Sequence, residues 1–137
     1  MGGHLSVVMT YNASWILVGL GGSLGAAARY LVGRWAELRY SFFRFPIGTL
    51  LVNVTGSFLL GLITRSAGLL LPHYALMLSL FLGVGFCGAY TTFSTFSYET
   101  ITLIRQHRRT TAVIYVAASL LIGFAASGLG LYGLPHM

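Results

Sequence analysis

The run of hydroxyl and aromatic side chains at residues 90–97 holds the residue types best suited to chemistry in this sequence. Phe93 and Phe96 are three residues apart, so on a helix both rings point to nearly the same side. Ser94 and Thr95 place hydroxyls beside those rings, whose edges carry partial positive charge. The pattern fits ordinary ring packing, and it also fits a site that meets a small anion without a formal charge.

A second polar pattern runs through an apolar segment further upstream. Its members recur every four residues and therefore share one face of a helix. They are Thr49, Asn53, Ser57 and Gly61. Such a stripe is either a packing seam between helices or the lining of a pore. The amide of Asn53, with two donors and an acceptor, suits a partner helix or an anion that exchanges water for N–H groups.

Two charged residues lie within apolar segments. A charge at the centre of a bilayer costs at least about 2.5 kcal/mol, so neither Arg29 nor Glu99 should face lipid. Arg29 fits two interpretations equally: a side chain that reaches the headgroups from near a helix end, or a cation in a vestibule that concentrates anions. For Glu99 we expect a structural cap or an arginine partner rather than a proton-carrying role.

The sequence offers no catalytic or metal-binding pattern. It has two acidic residues, so paired-carboxylate catalysis would have to use Glu37 and Glu99. Its four histidines are scattered, and its single cysteine, Cys87, lies in an apolar run, so neither a disulfide nor a thiolate metal site is expected. No basic run is interleaved with aromatic residues, as nucleic-acid binding would require. We expect neither an enzyme nor a nucleic-acid-binding protein.

The elements that must position these residues follow from composition. The chain has 137 residues, of which 56% are hydrophobic and 7% charged, against about 25% charged in soluble domains. This excludes a soluble globular protein and predicts an all-α integral membrane protein, because four apolar segments can each cross about 30 Å of hydrocarbon as a helix. They lie at about residues 15–32, 46–63, 74–104 and 112–134. The loops between them are short, so residues 1–137 form a single four-span domain.

The third segment is too long for one straight helix. Its 31 residues would extend about 46 Å, well beyond the hydrocarbon thickness. Gly83, Gly85 and Gly88, followed by the hydroxyl-rich run, weaken helix and offer oxygens to freed backbone groups. We predict a helix broken at mid-membrane, where unwound backbone is buried in protein or lines a polar cavity.

Small residues four apart recur in two other segments. The pairs are Gly21 with Gly25 and Ser119 with Gly123. Such spacing lets helices approach closely. Because four short spans bury little surface alone, we expect the chain to form an oligomer.

Three motifs in the apolar segments are specific enough to compare with known families. Gly-x-x-x-Gly-Ala-x-x-Arg-Tyr ends at Tyr30, and Pro-x-Gly-Thr-Leu-x-Val-Asn runs from Pro46 to Asn53. Thr-Thr-Phe-Ser-Thr-Phe-Ser-x-Glu-Thr runs from Thr91 to Thr100 and is highly specific. In these motifs the chain resembles the Fluc, or CrcB, family of fluoride channels over nearly its whole length.

This resemblance implies a four-helix subunit that pairs with an antiparallel second copy in a dual-topology dimer with two fluoride pores. By the family's pattern, the ring edges of Phe93 and Phe96 contact fluoride, the Asn53 amide lines the pore, and Arg29 is the vestibule cation. Hydroxyls line the path beside them: Ser94, Thr95, Tyr115 and Ser119.

The resemblance also implies a structural sodium ion at the dimer centre. Backbone carbonyls of Gly88 and Thr91 from each subunit would bind it at the predicted helix break. The implied function is passive export across the plasma (inner) membrane: HF enters cells neutral, ionises, and leaves as fluoride through the channel, which lowers fluoride toxicity.

Two features depart from the family's pattern. Gly123 stands one turn beyond Ser119, where some members have a hydroxyl. Arginines near the span ends are also strongly asymmetric, which favours one orientation in the membrane. Arg65 stands alone on one side, and the first and third loops hold Arg34, Arg39, Arg44, Arg105, Arg108 and Arg109. An inverted paralogue is therefore the alternative to an inverted copy as partner.

Two other functions stay open from the residues alone. A small proton-coupled exporter of lipophilic cations would use Glu99 as its proton site, although Arg29 within a span speaks against it. A non-transporting membrane assembly subunit would leave the polar third segment without a use.

Overall fold

The computed structural model describes residues 2–133, and this range is helical with short connections. A π-helical segment, Ser79–Cys87, lies within the third span. One 3₁₀ turn, Ser41–Phe43, ends the first span, and another, Pro72–Tyr74, begins the third. The α-helices are α1 (Gly2–Tyr40), α2 (Ile47–Leu70), α3 (Ala75–Leu78), α4 (Gly88–Tyr90), α5 (Phe93–Arg105) and α6 (Arg109–Tyr132).

These elements form four helical stretches that are long and apolar enough to cross a membrane. They are Gly2–Phe43, Ile47–Leu70, Pro72–Arg105 and Arg109–Tyr132. The prediction of four spans is confirmed. Most of the helical stretches extend beyond the bounds predicted from the apolar segments. Leu134, the predicted end of the fourth span, lies outside the described residues, as do Met1 and residues 135–137 of the predicted single domain.

The first helix is much longer than the predicted span. At 1.5 Å per residue, the 39 residues of α1 extend about 58 Å, against about 30 Å of hydrocarbon. The first proline in the sequence is Pro46, so nothing removes a backbone donor before that point. The hydroxyls of Thr10 and Ser14 donate to carbonyls one turn back, each at 2.8 Å, and so leave the backbone N–H groups to the helix.

The third span is broken within the hydroxyl-rich run, as predicted. Thr91 (φ −81°, ψ 157°) and Thr92 (φ −145°, ψ 121°) are extended, and α5 begins at Phe93. Gly83 and Gly85 do not unwind but lie in the π-helical segment, which widens the helix without interrupting it. The break therefore follows the glycines instead of coinciding with them.

Glycines on α1 allow the first and third spans to pack tightly. Gly21 and Gly25 are buried, and a Cβ at either would overlap the carbonyl oxygen of Phe81 or Phe86. The close approach that the Gly21–Gly25 spacing predicts is therefore formed, and its partner is the π-helical segment.

The tight glycine contacts between α2 and α6 lie away from the predicted small-residue pair. A Cβ at Gly130 would overlap the carbonyl oxygen of Phe58, and one at Gly61 would lie 2.5 Å from the Ser127 oxygen. A Cβ at Gly123 would lie 3.9 Å from Ser57 Oγ, an ordinary contact. The helices therefore touch backbone to backbone about two turns beyond Gly123.

Candidate functional site

Asn53 on α2 holds the backbone at the helix break. Its Oδ1 accepts a hydrogen bond from the Thr92 N–H at 2.8 Å, and its Nδ2 donates to the Thr92 carbonyl at 3.0 Å. A side chain thus satisfies both backbone polar groups of Thr92, which unwound chain in a membrane requires. One Nδ2–H of Asn53 remains after these bonds. Asn53 therefore joins two spans and still has a donor to offer.

The Thr92 side chain begins α5. Its Oγ1 accepts a hydrogen bond from the Thr95 N–H at 3.2 Å, an N-cap arrangement typical of threonine. The same hydroxyl donates to Thr95 Oγ1 at 3.1 Å and lies 3.4 Å from Ser94 Oγ. The break therefore carries a cluster of three hydroxyls, of which Thr92 is buried.

Two cavities share Thr92 as a lining residue. Cavity A has a volume of about 570 Å³ and lies between α1, α2 and α5. Its polar and charged lining residues include Arg29, Glu37, Thr49, Thr95 and Glu99. Cavity B has a volume of about 630 Å³ and lies between α2, the third span and α6. Its lining residues include Asn53, Ser57, Gly88, Thr91, Phe93, Phe96 and Ser119.

The residues predicted to line a pore divide between the cavities. Asn53, Phe93, Phe96 and Ser119 line cavity B, with the predicted sodium ligands Gly88 and Thr91. Arg29 and Thr95 line cavity A. Two of the predicted pore residues line neither cavity: Ser94 is exposed, and Tyr115 is fully buried.

The two phenylalanine rings lie side by side, as their spacing predicts. The centroids of Phe93 and Phe96 are 6.1 Å apart and the ring planes meet at 39°. Phe96 is half-buried and stacks on Tyr115 at 5.2 Å. Phe93 is 80% exposed, so its ring stands on the open side of cavity B.

Tyr115 pairs with Glu99 and does not face a cavity. Its Oη donates to Glu99 Oε2 at 2.8 Å, and the Thr49 hydroxyl donates to Glu99 Oε1 at 2.9 Å. Within residues 2–133 the carboxylate is held by these two hydroxyls, so the expected arginine partner is not formed. Glu99 instead joins α5 to α2 and α6, a structural role.

Arg29 lies half-buried on α1 and lines cavity A, together with Thr95 and Glu99. The cavity also holds the acidic side chains of Glu37 and Glu99, so the guanidinium lies among charged and polar groups of the protein. Of the two interpretations of Arg29, the placement favours the vestibule cation.

The polar stripe of α2 passes from one cavity to the other. Thr49 lines cavity A, Asn53 and Ser57 line cavity B, and Gly61 packs against α6. The stripe is therefore a helix-packing seam at Gly61 and a cavity lining at Thr49, Asn53 and Ser57.

Sequence reasoning misses the central position of Thr92. A threonine three residues before Thr95, directly ahead of a resumed helix, is the N-cap signal that could have found it. The bonds to Asn53 leave no local signal, because 39 residues separate the partners.

The fold and the site define a class: small multi-pass membrane proteins with two cavities beside a broken helix. The model of the family described as CrcB-like protein, Camphor Resistance (CrcB), matches residues 16–131. The chain therefore belongs to the CrcB-like family, and it is a multi-pass protein of the plasma membrane.

Curated relatives support the same assignment over most of their length. The chain is 47% identical over 115 residues to fluoride-specific ion channel FluC 2 of Rhodococcus jostii, a match that covers 84% of this chain and 93% of the relative. It is 44% identical over 115 residues to FluC 1 of Geobacillus kaustophilus, with 84% and 92% covered. It is 48% identical over 118 residues to FluC of Anaeromyxobacter dehalogenans, with 84% and 90% covered.

Proposed function

We propose that the chain is a passive, fluoride-selective channel of the plasma membrane and not an enzyme. The assignment of fluoride as the conducted ion rests on one observation: relatives that are 44–48% identical over most of their length are named fluoride-specific ion channels. The geometry supports this assignment, because two aromatic rings, an amide and a hydroxyl line one cavity at a helix break.

Export through such a channel needs no energy coupling. HF crosses membranes as a neutral weak acid, ionises at cytoplasmic pH, and leaves as fluoride down its electrochemical gradient. Fluoride is small and strongly hydrated, so the path must replace its water with N–H, O–H and aromatic C–H donors. A fixed cation deep in the path would hold the ion too tightly for it to leave.

The described residues supply such donors without a cation in cavity B. Asn53 has one uncommitted N–H, and the edges of Phe93 and Phe96 carry partial positive charge. The Ser119 hydroxyl donates to the Tyr115 carbonyl at 2.6 Å. It can therefore donate a hydrogen bond to fluoride only after the hydroxyl rotates away from that carbonyl. Arg29 in cavity A attracts anions without entering cavity B.

The functional unit in this proposal is a dimer with an inverted copy of the same chain. The support is the open side of cavity B: Phe93 is 80% exposed, and a Cβ at Gly88 would meet nothing within 4 Å. A second copy would cover this side and bring a second set of rings to it. The arginine asymmetry makes an inverted paralogue the second candidate partner.

The backbone at the break fits the structural sodium ion of the proposed dimer. In a continuous helix the Thr92 N–H would bond the Gly88 carbonyl, and the Thr95 N–H would bond the Thr91 carbonyl. Asn53 and the Thr92 hydroxyl take these N–H groups instead. Unwound carbonyls coordinate sodium in other membrane proteins, and Gly88 and Thr91 from two copies would supply four such oxygens. The ion would stabilise the dimer and take no part in conduction.

The test of the function is fluoride efflux from liposomes that hold the purified protein. The liposomes are loaded with the potassium salts of fluoride and chloride. A potassium ionophore lets K⁺ leave with the anions, so that no opposing membrane potential builds up, and ion-selective electrodes follow both anions. We expect rapid fluoride release with chloride retained. Retention of both anions by folded, inserted protein would contradict the homodimeric channel, and release only under a proton gradient would identify a proton-coupled exporter.

A further inference from the structure

Thr92 lies where the two cavities meet. Of the residues that line cavity A and cavity B, Thr92 alone lines both. On the facing helix, Val52 lines cavity A and the next residue, Asn53, lines cavity B. The two cavities therefore adjoin at this point.

The backbone of Thr92 is fixed, whereas its hydroxyl is exchangeable. Asn53 bonds both backbone polar groups at 2.8 and 3.0 Å, within the normal range for N–H···O bonds. The hydroxyl has one hydrogen to donate, and it goes to Thr95 Oγ1 at 3.1 Å, longer than the usual O–H···O distance of about 2.7–2.8 Å. A bond of that length is weak, so an anion at this point could take the hydrogen in place of Thr95.

The residues on each side include partners for an anion. Cavity B offers the free N–H of Asn53 and the ring edge of Phe96, and cavity A offers the Thr95 hydroxyl, with Arg29 further along. Thr92 is the one lining residue that the two sets share.

We propose that Thr92 is the crossing point of the anion path, where fluoride passes between cavities A and B and accepts a hydrogen bond from the Thr92 hydroxyl. The inference rests on the proposed function of the chain as a fluoride channel. It assigns to Thr92 a role in conduction beyond its role as the N-cap of α5.

A matched pair of variants, Thr92→Asp and Thr92→Asn, separates conduction from capping. Both side chains cap helices at least as well as threonine and differ from each other in charge, so a pure capping role predicts equal flux. A carboxylate on the path repels an anion that the neutral amide admits. We expect fluoride flux per assembled protein in Thr92→Asp at least tenfold below that in Thr92→Asn. Equal flux in the two variants would overturn the proposal.

A second pair keeps the proposal open to contradiction if the aspartate variant does not assemble. Thr92→Ser keeps the hydroxyl, and Thr92→Val keeps the shape without it. Loss of one hydrogen bond to a charged group corresponds to about a tenfold loss of flux or more. We expect Thr92→Ser within about twofold of wild type and Thr92→Val at least tenfold lower. Wild-type flux per assembled protein in Thr92→Val would contradict the proposal.

The same liposome experiment distinguishes failure of the proposed channel function from failure of the role proposed for Thr92. If wild-type protein releases no fluoride, the proposed function fails. If wild-type protein conducts fluoride and the Thr92 variants conduct equally well, the channel assignment stands and the crossing point lies elsewhere.

Discussion

The side chain of Asn53 stabilises the helix break at Thr91–Thr92, because it pairs backbone groups that the break leaves without helical partners. The amide of Asn53 bonds the N–H and the carbonyl of Thr92, and each such group would cost about 1–3 kcal/mol if left buried and unpaired. The break and Asn53 therefore depend on each other.

Asn53→Ala removes both bonds at once. We expect it to destabilise the protein by at least about 2 kcal/mol, measured as a lower midpoint of thermal unfolding in detergent. Asn12→Ala is the control, because Asn12 is exposed on α1 and its loss should leave the midpoint unchanged. A wild-type midpoint in Asn53→Ala would show that the break does not need the amide.

The paired rings can be tested separately from assembly. Phe93→Ile or Phe96→Ile keeps apolar volume but removes the polarised ring edge. We expect each to abolish fluoride flux without loss of assembled protein, while Phe124→Ile, on the exposed face of α6, conducts normally. Wild-type flux in both ring variants would refute the aromatic assignment.

At the scale of elements, close backbone contacts set the helix packing. α6 reaches α2 at Gly130, where a Cβ would overlap the Phe58 carbonyl oxygen, yet a Cβ at Gly128 would meet nothing within 4 Å. Both glycines lie on α6, but Gly130 packs against the backbone of α2 and Gly128 does not.

Gly130→Ala and Gly128→Ala form a matched pair for this packing. We expect Gly130→Ala to lower the unfolding midpoint, because α2 and α6 must move apart. Gly128→Ala should be neutral or stabilise by up to about 1 kcal/mol through helix propensity. Equal midpoints, measured by thermal unfolding in detergent, would contradict the observed contact.

The sequence predicts the helical spans better than it predicts the side-chain contacts between them. Apolar length finds four spans, and the hydroxyl run after Gly88 finds the broken third helix, because both depend on local composition. Sequence reasoning does not find the hydrogen bond from Tyr115 to Glu99, 16 residues away, or the bonds between Asn53 and Thr92. Such contacts depend on which side chains the packed helices bring together, and the spacing of residues within one helix does not identify a partner on another.

At the scale of the whole molecule, the open side of cavity B is the proposed interface between copies. Gly88→Leu should fold within the subunit, because a Cβ there meets open space, but it should hinder a second copy. We expect a monomer in detergent by light scattering, and an unchanged oligomer for Gly19→Leu, also open within the subunit. A wild-type oligomer in Gly88→Leu would place the interface elsewhere.

Orientation in the membrane distinguishes the two candidate partners. An inverted copy requires comparable populations in both orientations, despite the arginine bias towards one. A compartment-sensitive reporter fused to the C-terminus should therefore be detected on both sides of the membrane in cells. Detection on one side only would contradict the inverted copy and identify an inverted paralogue as the partner.

The order of Asn53 and Thr92 along the chain has a consequence for biogenesis. A ribosome synthesises the second span before the third, so sequential insertion would place the amide in the bilayer before the broken segment leaves the translocon. The unwound peptide groups can then be paired as they enter lipid, where each unpaired group costs several kcal/mol. In a circular permutant that delivers the third span first, the nascent chain would wait at the translocon for its partner, and ribosome-bound insertion intermediates would accumulate there.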